Sequence, residues 1–154
     1  MGIACFPRAK PAEKAGHQAY RRVAEILQWR KGEIKWRKAL RASRRLNVNP
    51  CGLTSVIREH AAYVGSDEMH IENVASARLE LAARVIRGAA ARLGGIGLLI
   101  LDHGLLPGDS RSVGRLRRLA GMASLKVLFR SSGRVPGIQL ADIIAGARCS
   151  CRGR

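Results

Sequence analysis

Aromatic residues make up only 4% of the 154 residues. With so few rings, a ladder of bases stacked on aromatic platforms is not available as a main binding mode. Acidic residues are scarce too: 11 Asp and Glu stand against 28 Lys and Arg, a formal net charge of +17. The four cysteines, Cys5, Cys51, Cys149 and Cys151, make no CxxC pair, and no Cys/His set has zinc-finger spacing. That excludes a structural zinc site of the usual kind, and four free thiols in a reducing compartment are expected. No apolar run approaches the length of a membrane span, the longest being Ile96 to Leu101. No secretory signal is recognisable, and Phe6 stands where an acylation signal would need Ser or Thr. The expected setting is cytoplasmic, with no membrane partner.

What is present suits one domain. A hydrophobic content of 47% is enough to build a core at this length. The charge balance favours polyanionic partners, of which nucleic acid is the commonest. A GC-rich coding sequence would give the same bias toward Arg, Ala and Gly without any binding role, so charge alone leaves both readings open.

The hydrophobic pattern predicts a strand over residues 1–6, stopped by Pro7. Ala15, Ala19, Val23, Ile26 and Leu27 recur at helical spacing from Pro11 to about Trp29. A very basic segment follows, Glu33 to Leu46, and then the turn cluster NVNPCG. Thr54 to Val64 reads equally as strand or short helix. Ser66-Asp67-Glu68 opens a long helical pattern from about Ile71 to Leu93, closed by Gly94-Gly95. IGLLILD, Ile96 to Asp102, reads as a central strand covered on both faces. A helix near Ser110 to Gly121, a strand Leu125 to Phe129 and a last helix from Pro136 complete an α/β layered domain over residues 1–148, with a short basic tail at 149–154.

Scarcity makes each acid informative. Ligands gather at the carboxyl ends of strands in open α/β sheets, and Asp102 sits at such an end. Asp142 lies inside the apolar run PGIQLADIIAGAR, on the helix after the next strand. Carboxylates so placed hold divalent cations that clamp a phosphodiester and activate water. The alternatives are a turn or capping role for Asp102 and an exposed amphipathic-helix acid for Asp142. His103 reads as a loop histidine, and Asp109 as a helix cap competing with Ser110 and Ser112. Ser131 and Ser132 lack the GxSxG context of a nucleophile. GGIG at 94–97 precedes a strand, the wrong context for a phosphate-cradling loop.

GIQLADIIAGA after a Ser-containing loop, LLILD ending in Asp102, and GEIKW at Gly32 to Trp36 together resemble the domain of unknown function 3800 family. The resemblance runs from about residue 3 to 147. It implies a ribonuclease-H-like layered domain with a mixed sheet and flanking helices. It implies a nuclease-like site with Glu33, Asp102 and Asp142 as Mg or Mn ligands and Lys35 as a phosphate contact, against the alternative that Lys35 is one solvated base among many. Gln139 would bind a ligand or cap the last helix. The family's opening strand, ending Asp-Glu-Ser-Gly, has no counterpart here, so an N-terminally truncated or mis-started copy with weakened metal affinity is expected.

Two functions follow as expectations. One is a metal-dependent nuclease or phosphodiesterase, with Arg37, Lys38, Arg41, Arg44, Arg45, Arg115, Arg117 and Arg118 contacting the nucleic-acid backbone. The other is a non-catalytic basic nucleic-acid-binding remnant, with a non-functional fragment as its limit.

Overall fold

The computed structural model describes residues 1–6, 11–68 and 74–151. Among them run β1 (Gly2–Cys5), α1 (Pro11–Ile26), α2 (Trp36–Arg45), α3 (Gly52–Arg58), β2 (Tyr63–Ser66), α4 (Val74–Leu93), β3 (Leu98–Asp102), α5 (Ser110–Ala120), β4 (Lys126–Arg130) and α6 (Pro136–Cys151). A 3-10 turn over Ser132–Arg134 joins β4 to α6. The molecule is mixed α/β, as the pattern predicts, but the strands do not form one mixed sheet. β1 pairs antiparallel with β2, β3 pairs parallel with β4, and the two pairs remain separate.

Each pair belongs to its own core. Ala19, Val23 and Leu27 of α1 form a buried stripe, as their three- and four-residue spacing requires. They meet Leu53 and Ile57 of α3, Ala39 and Ala42 of α2, and Leu140, Ile143 and Ile144 of α6. The second core joins Leu79, Ala82, Ala83 and Ile86 of α4 to Leu116 and Ala120 of α5 and to Leu99 and Leu101 of β3. β1 lies so close along α6 that a Cβ on Gly2 would run into the Ala141 carbonyl and come within 2.8 Å of the Ala145 amide.

Several expectations change on contact with the fold. The ambiguous stretch 54–64 is both things in turn, the end of α3 and the start of β2. Ser66 ends β2 instead of opening a helix, and Asp67 pairs with Arg84 at 3.0 Å. β3 is covered on one face only: Leu99 and Leu101 are buried, while Leu98 and Ile100 are 44% and 37% exposed. A doubly covered strand needs helices on both sides of its sheet, and α4 and α5 supply one side. Cys51 is disulfide-bonded, which corrects its expected free thiol, whereas Cys5 is free. The Pro7 strand stop, the Ile71 helix start and the thiols of Cys149 and Cys151 lie outside the described residues. α6 continues to Cys151, past the expected domain boundary at 148. No described helix is long and apolar enough to cross a membrane.

Candidate functional site

The expected site residues meet along one strip of α6. Gln139, Asp142 and Gly146 are spaced three and four residues apart, so they share a helix face. The segment between α1 and α2, carrying Glu33 and Lys35, lies on that face. The Ile34 amide donates to Gln139 Oε1 at 2.7 Å, and the Trp36 amide donates to Asp142 Oδ2 at 2.7 Å. Trp36 also packs its indole where a side chain at Gly146 would stand, since a Cβ there would overlap the ring. Gln139 is buried and uses its other end as well, donating from Nε2 to the Ser132 carbonyl at 2.9 Å. The Ser132 amide in turn donates to Asp102 Oδ1 at 3.3 Å.

A continuous polar path therefore links Asp102, Ser132, Gln139, Ile34, Trp36 and Asp142. It ends on the carboxylates of Asp102 and Asp142, and Glu33 and Lys35 flank the buried Ile34 between them. It also separates them. The Asp102 carboxylate is directed at the turn after β4 and Asp142 at the start of α2. Glu33 Oε1 lies 3.4 Å from Lys35 Nζ. That contact is an ion pair without hydrogen-bond alignment, and the same oxygen is buried with no hydrogen-bond donor. Burial, and after it the Glu33 carboxylate, push the Tyr20 phenol above its usual pKa.

Among the described residues no three of Asp, Glu, His and Cys converge as a group able to hold a cation. Divalent ions need several convergent oxygens to replace their hydration. Here one oxygen of Asp102 and one of Asp142 serve backbone amides of different segments.

The basic residues of α2 are arranged more coherently. At 3.6 residues per turn, Arg37, Arg41 and Arg44 fall within about 60° of one another, and Lys38 and Arg45 widen the arc to about 120°. Ala39, Ala42 and Ser43 occupy the opposite arc and are buried. All five bases are exposed, and among the described residues none has an ion-pair partner. On α5, Arg115 and Arg118 are exposed, but Arg117 donates from Nε to the Leu125 carbonyl at 2.8 Å. Its guanidinium thus holds the turn before β4, a role that sequence spacing does not reveal. Asp109 caps α5 as expected, accepting from the Ser112 amide at 2.7 Å. His103 is exposed in the loop after β3.

Two features of this site were not foreseen: the double hydrogen bonding of Gln139 and the fit of Trp36 against Gly146. A buried-helix stripe with a polar member three residues before an acid was the available signal for the first. Comparison of the chain with family models, curated proteins and solved structures returned no match.

Proposed function

We propose that the protein is a nucleic-acid-binding α/β protein that holds duplex backbone against the basic face of α2. The observation that carries this reading is the five-base arc of α2, exposed and without an ion-pair partner among the described residues, opposite the buried Ala39, Ala42 and Ser43. Five of the six aromatic rings support a duplex over a single strand, because Phe6, Tyr20, Trp29, Trp36 and Phe129 pack against the cores. Rings so placed are not free to stack on bases. The resemblance to the domain of unknown function 3800 family agrees with a nucleic-acid partner, and the dispersed acids favour binding over cleavage.

The test is a salt titration of binding to a short duplex. Five phosphate contacts give a slope of log K against log salt of about −4.5. Replacing Arg41 and Arg44 by Ala lowers its magnitude by about 2. A salt-independent affinity refutes the reading.

A second reading, the metal-dependent phosphodiesterase, is favoured by the Glu33 oxygen that is buried without a donor. It requires the acids to regroup when a cation binds. Cleavage of DNA or RNA in Mn²⁺ that disappears in Asp102→Asn supports it, and no cleavage by the purified protein removes it.

A further inference from the structure

We infer that Asp142 is a positioning residue for the polyanion surface, holding α2 from another helix so that its basic face keeps one attitude. The inference rests on the nucleic-acid reading proposed above. A helix leaves its first amides without internal partners, and a residue at the N-cap ordinarily supplies the acceptor. The N-cap of α2 is Lys35, whose side chain has no acceptor and makes no capping bond. Asp142 fills the role across 106 positions of sequence, accepting from Trp36, the first residue of the helix. Its negative charge also complements the positive end of the helix dipole.

The grip has three points on one face of α6. Gln139 holds the Ile34 amide, Asp142 the Trp36 amide, and Gly146 leaves room for the Trp36 ring. Backbone and side chain of the same residue are thus seated on α6, and the helix that leaves from Trp36 has its direction set there. The α2 bases begin at Arg37, one residue beyond this seat. This gives an acid near a polyanion surface a purpose that local charge does not, because on charge alone its removal should tighten binding.

That opposition supplies the experiment. Asp142→Asn and Asp142→Ala remove the same charge, but Asn caps about as well as Asp while Ala does not cap. Duplex affinity is measured for both, along with hydrogen exchange at the Trp36 amide. Asp142→Asn is expected to bind at least as tightly as the wild type with Trp36 still protected. Asp142→Ala is expected to bind roughly five-fold more weakly, with exchange at Trp36 faster by a similar factor, the size of a lost cap. Gly146→Ala pushes Trp36 off α6 without changing charge and is expected to weaken binding too, so the test survives if Asp142→Ala does not fold. Equal affinities for Asn and Ala overturn the inference while leaving the nucleic-acid reading intact. Wild-type protein that binds no duplex refutes both together, even with Trp36 protected.

Discussion

Replacing Gln139 by Leu should be the most damaging single change in the polar path. The residue is 5% exposed, and its amide accepts from the distant Ile34 N–H at 2.7 Å and donates to the nearby Ser132 C=O at 2.9 Å. Leu matches its volume closely enough that cavity formation is minor. What remains is one buried donor with no partner, the Ile34 N–H, at about 1–3 kcal/mol; the Ser132 carbonyl keeps the Val135 amide at 3.3 Å. The expected loss is therefore about 1–3 kcal/mol, a sizeable part of the 5–15 kcal/mol that holds a typical domain together. For a chain of this size each kcal/mol lowers Tm by about 2–4 °C. Urea denaturation with circular dichroism detection reads the midpoint, and an unchanged slope keeps the comparison within two states. Gln139→Glu retains the acceptor for Ile34 but removes the donor to Ser132 and adds charge, so it should also destabilise. A Leu variant within about 0.5 kcal/mol of wild type would show that water or local movement satisfies the Ile34 amide, and the path would not be a structural element.

Gly146→Ala sets two effects against each other: Ala favours a helix over Gly by about 1 kcal/mol, and overpacking against Trp36 opposes it by about 1–3 kcal/mol. Net destabilisation with a shifted tryptophan emission is expected, and a stabilised variant would mean that the ring has somewhere else to go. Burial pushes the Cys5 thiol up to about 11. At pH 8 only about one thiol in a thousand is then ionised, so alkylation mapped to Cys5 should be far slower in native protein than in urea. Labelling at equal rates would place that thiol in solvent. The Ser112 amide and hydroxyl hold the Asp109 carboxyl below its ordinary value. A depressed folded-state pKa gives stability that is present above the unfolded value of about 4 and is lost as pH falls through the lowered one. Asp109→Asn should therefore flatten the acid limb of the stability curve below about pH 4, and an unchanged limb would count against the cap.

Periodicity revealed most helices because their buried stripes are regular: Ala19, Val23 and Leu27 in α1, and Ala77, Leu81, Val85 and Ala89 in α4. It also located β3 and β4 to within two residues. It could not reveal how strands pair, because pairing depends on partners distant in sequence, and LLILD reads the same whether one face or two are covered. The acids show the same boundary. Asp109 was legible as a cap because its acceptor and donor are three residues apart. Asp142 was read as a metal ligand or an exposed helix acid, and its bond to α2 was not legible because the donor lies 106 positions away. Arg117 looked like its exposed neighbours until the turn after α5 brought the Leu125 carbonyl beneath it.

The long reach of the α6 grip has a consequence for how the chain is made. α1, α2 and α3 leave the ribosome before α6, yet their core is closed by Leu140, Ile143 and Ile144 of that helix. Until Pro136–Cys151 emerges, α2 has no acceptor at its first amide and three helices lack their common wall. Meanwhile α4, β3, α5 and β4 are contiguous in sequence and can assemble their own core first. Synthesis order and folding order are thus partly reversed, and the basic segment waits, uncapped and highly charged, until α6 has been made. A nascent chain arrested before Pro136 should hold a protected α4–β4 unit beside an N-terminal third open to proteolysis.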